Sequence, residues 1–132
     1  GGRAAITPEM IAVNIMDARI PDNAGNKPCH EFIIKEGREA YFSSLPVKDI
    51  EKNLNDNGIP SSVSYHAGTF VCNYHTYSLM NLIDTKYPNM RGGFVHVPYS
   101  TEQVKNRETP MPSRELKKIT RGLEIIAETL AK

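Results

Sequence analysis

Apolar residues in this 132-residue chain fall in short runs separated by turn-forming clusters. Met10-Ile11-Ala12-Val13-Asn14-Ile15-Met16 is apolar and rich in β-branched residues, which predicts a buried strand behind a Thr7-Pro8-Glu9 turn. Asp17 to Pro28 carries two prolines, a glycine and several Asp and Asn residues, and reads as a long, well-defined loop. Glu31 to Lys35 reads as a short strand. Lys35 to Leu45 fits no single element, with Tyr41 and Phe42 as its anchors. From Pro46 to Asn57 the spacing of Val47, Ile50 and Leu54 predicts a helix, with Pro46 in its first turn and Asn57-Gly58 as its stop.

Ser61 to Tyr65 is a third candidate strand, followed by the turn His66-Ala67-Gly68-Thr69. Tyr77, Met80, Leu82 and Ile83 then mark a helix that ends near Tyr87-Pro88. Gly93 to Val97 reads as a strand closed by Pro98, and residues 100–112 as a polar surface loop. Leu116, Ile119, Leu123, Ile126 and Leu130 predict a final amphipathic helix, with Ser113 as its N-cap. The later order of helix, strand, helix, strand, helix favours an α/β fold with a parallel sheet. In such sheets ligands gather where strands end and loops begin.

Composition narrows the function classes. Sixteen Lys and Arg against fifteen Asp and Glu leave a formal charge of +1. That balance gives no electrostatic case for nucleic acid or a membrane surface as partner. No apolar run approaches the ~20 residues of a membrane span. Two cysteines, Cys29 and Cys72, make no disulfide framework and suit a reducing compartment. The chain opens Gly-Gly-Arg, without an initiator Met or a signal-peptide pattern, so a fragment, a processed product or part of something longer is expected.

Cys72 follows a Gly-containing turn and precedes a helical pattern, which places it at a helix N-terminus, where free amides and the helix dipole favour negative charge on sulfur. A buried structural cysteine is the commoner alternative. His96 is a polar residue near the end of an apolar strand, positioned either as a general base or as a hydrogen-bonded core histidine. Glu9 is a candidate third member that would orient the imidazole, or else a solvated carboxylate; Asp17, Asp22 and Asp84 compete for that role. Arg19 suits either binding of a carboxylate or oxyanion, or bracing of its loop. Cys29, His30, His66, His75 and Cys72 contain no C-x-x-C or H-E-x-x-H pattern, which argues against structural zinc. Neither a Walker A sequence nor a Gly-x-Ser-x-Gly elbow occurs.

More specific are Gly1-Gly2-Arg3, Ile6-Thr7-Pro8-Glu9, Ala12-Val13-Asn14, Ala18-Arg19-Ile20-Pro21-Asp22-Asn23, Ala67-Gly68-Thr69-Phe70-Val71-Cys72-Asn73 and Gly93-Phe94-Val95-His96-Val97-Pro98-Tyr99, in that order. Together they resemble the pyroglutamyl peptidase type I family, also called pyrrolidone-carboxylate peptidase, over essentially the whole chain. The resemblance implies a Cys–His–Glu triad of Cys72, His96 and Glu9. It implies cleavage after an N-terminal pyroglutamyl residue of peptides, with no metal and no cofactor, by a cytoplasmic homo-oligomer, dimer or tetramer. It also implies a three-layer α/β/α fold with a mostly parallel central sheet, residues 1–132 forming a single domain that matches the larger C-terminal part of such a protein. Ile20, Phe70 and Val71 match positions of the family's pocket wall, with plain core packing as the alternative for each.

Two departures from the family stand out. Met10 follows Glu9 where the family usually has Arg. The family's N-terminal part is absent, including an aromatic Gly-Phe-x-Pro-Phe-Gly-type loop and a glutamine-containing stretch that helps read the lactam. The expectation is a piece of a normal enzyme; a short protein that completes its sheet by oligomerising and a degenerate homologue are the alternatives. Functionally, a cysteine exopeptidase stands first. A catalytically incomplete homologue acting as a binding or interaction module stands second, and another cysteine acyl-transfer enzyme third.

Overall fold

Val47, Ile50 and Leu54 recur at helical spacing behind Pro46. The computed structural model, which describes residues 2–132, has a helix there, α1 (Val47–Asp56), with those three residues buried. Pro46 stands at its N-cap, and Asn57 closes it ahead of Gly58, whose φ of 72° suits glycine. Gly1, the first residue of the Gly-Gly-Arg match, lies outside the described residues.

The remaining elements mix strands and helices as an α/β chain does. They are β1 (Thr7–Glu9), β2 (Ile11–Val13), β3 (Ala40–Phe42), α2 (Val71–Lys86), β4 (Phe94–His96), β5 (Tyr99–Ser100), α3 (Thr101–Val104), β6 (Ser113–Arg114) and α4 (Leu116–Leu130). Among the described residues the strands pair two by two: β1 with β4, β2 with β3, β5 with β6. The β5–β6 pair is parallel and the β2–β3 pair antiparallel. The chain divides into two compact units.

The first unit comprises the described part of Gly1–Pro8, with Pro46–Val63 and Val95–Lys132. Its core is α1 packed on α4. Ile50 and Leu54 are fully buried, with Ile6, Ile59, Ile119, Ile125 and Ile126 around them. The amphipathic stripe of α4 is rotated from the expected one. Leu116 and Leu123 are 65% and 50% exposed, and the buried residues are Ile119, Gly122, Ile125, Ile126 and Thr129. Gly122 sets this face, because a Cβ there would collide with the Ile6 side chain and meet Leu54 and Ile59. Ser113 lies in β6, opposite Tyr99, and the N-cap of α4 is Glu115. The surface expected over 100–112 instead starts with α3, whose Ser100 and Gln103 form a reciprocal capping box. Ile6 bridges Ser61 in parallel, the first-unit trace of the strand expected over Ser61 to Tyr65.

The second unit comprises Glu9–Leu45 and Ser64–Phe94. Glu9 bridges Ser64 in parallel, and then the chain changes partners at Met10. The Met10 amide donates to the Ser64 carbonyl at 2.7 Å, while its carbonyl accepts the Ser43 amide at 2.8 Å. From Ile11 onward the partner is β3, in the register Ile11↔Phe42, Ala12↔Tyr41, Val13↔Ala40. The single strand expected over Met10 to Met16 is therefore broken, and it stops at Asn14. There the side chain takes over the Ile33 and Ile34 amides. The expected strand at Glu31 reduces to one antiparallel bridge with Met16. Ala12, Tyr41, Tyr77, Met80 and Ile83 form the core of this unit, while Phe42 points outward at 68% exposure. Tyr41 and Tyr77 meet at 5.1 Å between ring centroids. The Tyr77 hydroxyl donates to the Arg38 carbonyl at 2.6 Å.

Candidate active site

The loop Asp17 to Pro28 is fastened at both ends and in the middle, as its Asp, Asn and Pro content requires. The Asp17 amide donates to the Thr69 carbonyl at 3.2 Å, and the Thr69 hydroxyl returns to the Asp17 carbonyl at 2.7 Å. The Ala18 amide donates to the Pro28 carbonyl at 2.9 Å. At the tip, Asp22 Oδ1 accepts the amides of Ala24 at 2.9 Å and Asn26 at 2.8 Å. These donors, those of Asn26 foremost, hold the Asp22 carboxyl below the usual carboxylate range. Gly25, with φ of 85°, permits the tight reversal.

So fastened, the loop faces the start of α2 across a cavity of about 370 Å³. Met16, Ala18, Ile20 and Pro21 line it on one side, and Thr69, Phe70, Val71 and Tyr74 on the other. Three of the expected pocket residues, Ile20, Phe70 and Val71, thus come together in one concavity with mostly apolar walls. Arg19 lies with its guanidinium carbon 5.5 Å from the Phe70 ring centroid. Tyr74 escaped the sequence reading, although it follows Val71 by three positions and so shares its helix face.

Cys72 is the second residue of α2 and is half-buried. Phe70, the N-cap, is extended (φ −101°, ψ −153°) and makes no side-chain cap hydrogen bond. The uncapped amides and the helix dipole make this a favourable place for negative charge. Glu9, at the end of β1, is 1% exposed and belongs to the same unit as Cys72. His96 closes β4 in the first unit and is half-buried. The competing acids have other employment. Asp17 Oδ1 accepts the His30 amide at 3.3 Å, Asp22 holds its own loop, and Asp84 pairs with Arg38 at 3.2 Å. His75, exposed on α2, meets the Phe94 ring edge-on at 6.0 Å. Among the described residues no three His, Cys, Asp or Glu side chains gather to hold a metal ion, and no helix is long and apolar enough to cross a membrane.

Known proteins of similar sequence and fold point to one family. The family model described as pyroglutamyl peptidase matches residues 1–132. Pyrrolidone-carboxylate peptidase of Bacillus licheniformis is 54% identical over 127 residues, covering 96% of this chain and 58% of its own. The Clostridium botulinum protein of the same name is 50% identical over 125 residues, covering 95% and 58%. Among solved structures, pyroglutamyl peptidase I from Bacillus amyloliquefaciens superposes with a TM-score of 0.92 at 49% identity, covering 99% of this chain and 61% of that one. The pyrrolidone carboxyl peptidase of Thermococcus litoralis does so with a TM-score of 0.92 at 40% identity, covering 98% and 61%. The chain spans about three-fifths of the length of these relatives. With its full length matched by the family model, the chain belongs to the pyroglutamyl peptidase family.

Proposed function

We propose that this chain carries the thiol site of a cysteine exopeptidase that releases pyroglutamate from the N-terminus of peptides. The observation that carries the reading is the placement of Cys72 in the uncapped first turn of α2, directly after two residues, Phe70 and Val71, that wall an apolar cavity. A pyroglutamyl end is a neutral lactam, and such a ring is suited by an apolar concavity of this size with few polar groups.

In this reading the Cys72 thiolate attacks the carbonyl carbon of the pyroglutamyl residue. The carbonyl oxygen becomes an oxyanion held by backbone amides at the start of α2, that of Cys72 among them. His96 gives a proton to the leaving amine as the C–N bond breaks, and a thioester remains on sulfur. His96 then takes a proton from water, whose oxygen attacks the thioester and frees pyroglutamate and the thiolate. Glu9 orients the imidazole and stabilises its charged form. Neither a metal nor a cofactor enters these steps. The working form is a homo-oligomer, dimer or tetramer, in the cytoplasm, a compartment suited to two unpaired cysteines.

A chromogenic pyroglutamyl amide tests this directly. Turnover by the protein, lost on Cys72→Ala, supports the reading. Stoichiometric binding of a pyroglutamyl peptide without hydrolysis, unchanged by Cys72→Ser, would replace it with a binding module. Turnover of other acyl substrates but not of pyroglutamyl amides would point to a different acyl-transfer enzyme.

A further inference from the structure

Directly after Cys72 stands a residue that the chemistry above does not use. Asn73 is fully buried. Its side-chain nitrogen donates to the Val13 carbonyl at 2.8 Å and to the Ile15 carbonyl at 3.2 Å. Its Oδ1 accepts the Val13 amide at 2.9 Å. A primary amide has two donor hydrogens and one acceptor oxygen, so each of its polar atoms is engaged. One side chain thereby satisfies both backbone groups of Val13, as a neighbouring strand would.

This grip has a geometric consequence. Three bonds from a first-turn side chain, two to Val13 at the end of β2 and one to Ile15 two residues beyond it, fix both the position and the rotation of the helix start. Thr76, 2% exposed, holds the other side of the same turn by donating its hydroxyl to the Cys72 carbonyl at 2.7 Å. The peptide units around Cys72 are thus pinned from the strand and from within the helix. A carboxylate in place of the amide would keep the acceptor and lose both donors, and an apolar side chain would lose all three bonds.

We infer that Asn73 is a positioning residue for the Cys72 thiol: it locks the first turn of α2 to β2 and so sets the direction in which sulfur is presented. The inference rests on Cys72 being the nucleophile. The structure supplies its own control in Asn14, 2% exposed and one residue beyond Val13. Asn14 also makes three bonds, accepting the Ile33 and Ile34 amides at 2.9 Å each and donating to the Ile34 carbonyl at 2.7 Å. Those bonds serve residues 33–34 and not α2.

The test uses a Cys29→Ser background, in which Cys72 is the sole thiol. Asn73→Ala and Asn73→Asp are compared with Asn14→Ala and Asn14→Asp for thermal midpoint, for iodoacetamide alkylation between about pH 5 and about pH 10, and for kcat and KM on a chromogenic pyroglutamyl amide. Both pairs should lower the midpoint. Only the Asn73 pair should slow alkylation or move its titration midpoint, and lower kcat by ~100-fold while KM stays within ~3-fold, as misplacement of a reacting atom does. Asn73 variants whose alkylation profile and kcat match those of the Asn14 variants would overturn the inference. So would Asn73 variants that cannot fold where the Asn14 pair folds, since Asn73 would then be a determinant of the fold. A parent protein that alkylates normally but turns over no substrate would sink the peptidase reading, while the alkylation profiles still decide the role of Asn73.

Discussion

Asp22 and Asn26 hold each other by three hydrogen bonds: the Asn26 amide reaches Asp22 Oδ1 at 2.8 Å, the Asn26 side chain reaches Asp22 Oδ2 at 3.2 Å, and the Asp22 amide donates to the Asn26 carbonyl at 2.9 Å. Both residues also line the cavity beside α2, so the clasp shapes one wall of the candidate pocket. Asp22→Ala removes both carboxylate acceptors of the clasp and leaves its backbone bond. The expected result is a several-fold rise in KM with kcat nearly unchanged, and faster hydrogen exchange at the Ala24 and Asn26 amides. An unchanged KM would show that the loop holds its shape without the clasp.

The same clasp has a pH signature. The folded Asp22 carboxyl titrates below its unfolded value of about 4, so its contribution is complete above that value. It is lost as pH falls through the lower, folded value. Exchange at the Ala24 and Asn26 amides, corrected for its intrinsic pH dependence, should be flat from neutral pH down to about 4 and rise only below it. Asp22→Asn should remove that rise. A transition near neutrality would assign the loop to some other group.

Tyr77 works in the opposite direction. Burial first, and the neighbouring Tyr41 second, raise its phenol above the ordinary value, and its hydroxyl donates to the Arg38 carbonyl at 2.6 Å. Between the unfolded value of about 10 and the higher folded one, the unfolded chain has lost a proton that the folded chain keeps. Stability contributed by the neutral phenol is thus full below about pH 10 and falls as pH rises beyond it. Tyr77→Phe should flatten that alkaline slope. At neutral pH it should cost about 1 kcal/mol, the usual net worth of a hydrogen bond. Urea unfolding at about pH 7 and about pH 11 measures both effects.

The contrast between α1 and α4 shows what sequence pattern can and cannot reveal. For α1, Pro46 and Asn57-Gly58 mark the ends chemically and Val47, Ile50 and Leu54 mark the face, so span and packing were both legible. For α4, Leu116 and Leu123 satisfy the same periodicity yet stand outside, because the closest approach occurs at Gly122, which contributes no hydrophobicity to the pattern. The strand break at Met10 was illegible for a related reason: the exchange of Ser64 for β3 as partner is a tertiary event that leaves the local sequence apolar throughout. At the site, the Gly68-containing turn placed Cys72 at a helix start without help from tertiary structure. Asn73 was hidden, since an asparagine beside a turn reads as a turn residue, and only folding brings Val13 and Ile15 to it.

The close approach at Gly122 can be tested through its neighbour. Gly122→Ala gains about 1 kcal/mol of helix propensity. It also drives the new methyl into the tip of Ile6, and overpacking of a filled core costs about 1–3 kcal/mol. The net expectation is a loss of up to about 2 kcal/mol. Ile6→Val removes the colliding Cδ1 and alone should cost about 0.5–1.5 kcal/mol. In the Gly122→Ala background the same change should cost nothing or stabilise. A double-mutant cycle in urea reads this coupling, and strict additivity of the two changes would mean that they do not touch.

Arg19 and Phe70 decide between two accounts of the cationic loop. If Arg19 stabilised developing negative charge, its loss would act on kcat, because that charge exists only in the transition state. Its guanidinium covers the Phe70 ring at 5.5 Å, and Phe70 lines the cavity; in the proposed reading that wall would meet substrate before and during reaction alike. An exposed cation–π pair is worth about 0.5–1 kcal/mol, so Arg19→Ala should raise KM by about 2–5-fold and leave kcat in place. Phe70→Ala removes both the wall and the surface on which Arg19 rests, and should raise KM further. Adding Arg19→Ala to it should then change nothing more, since the guanidinium has lost what it acted through. A kcat loss from Arg19→Ala that persists in the Phe70→Ala background would restore the oxyanion role.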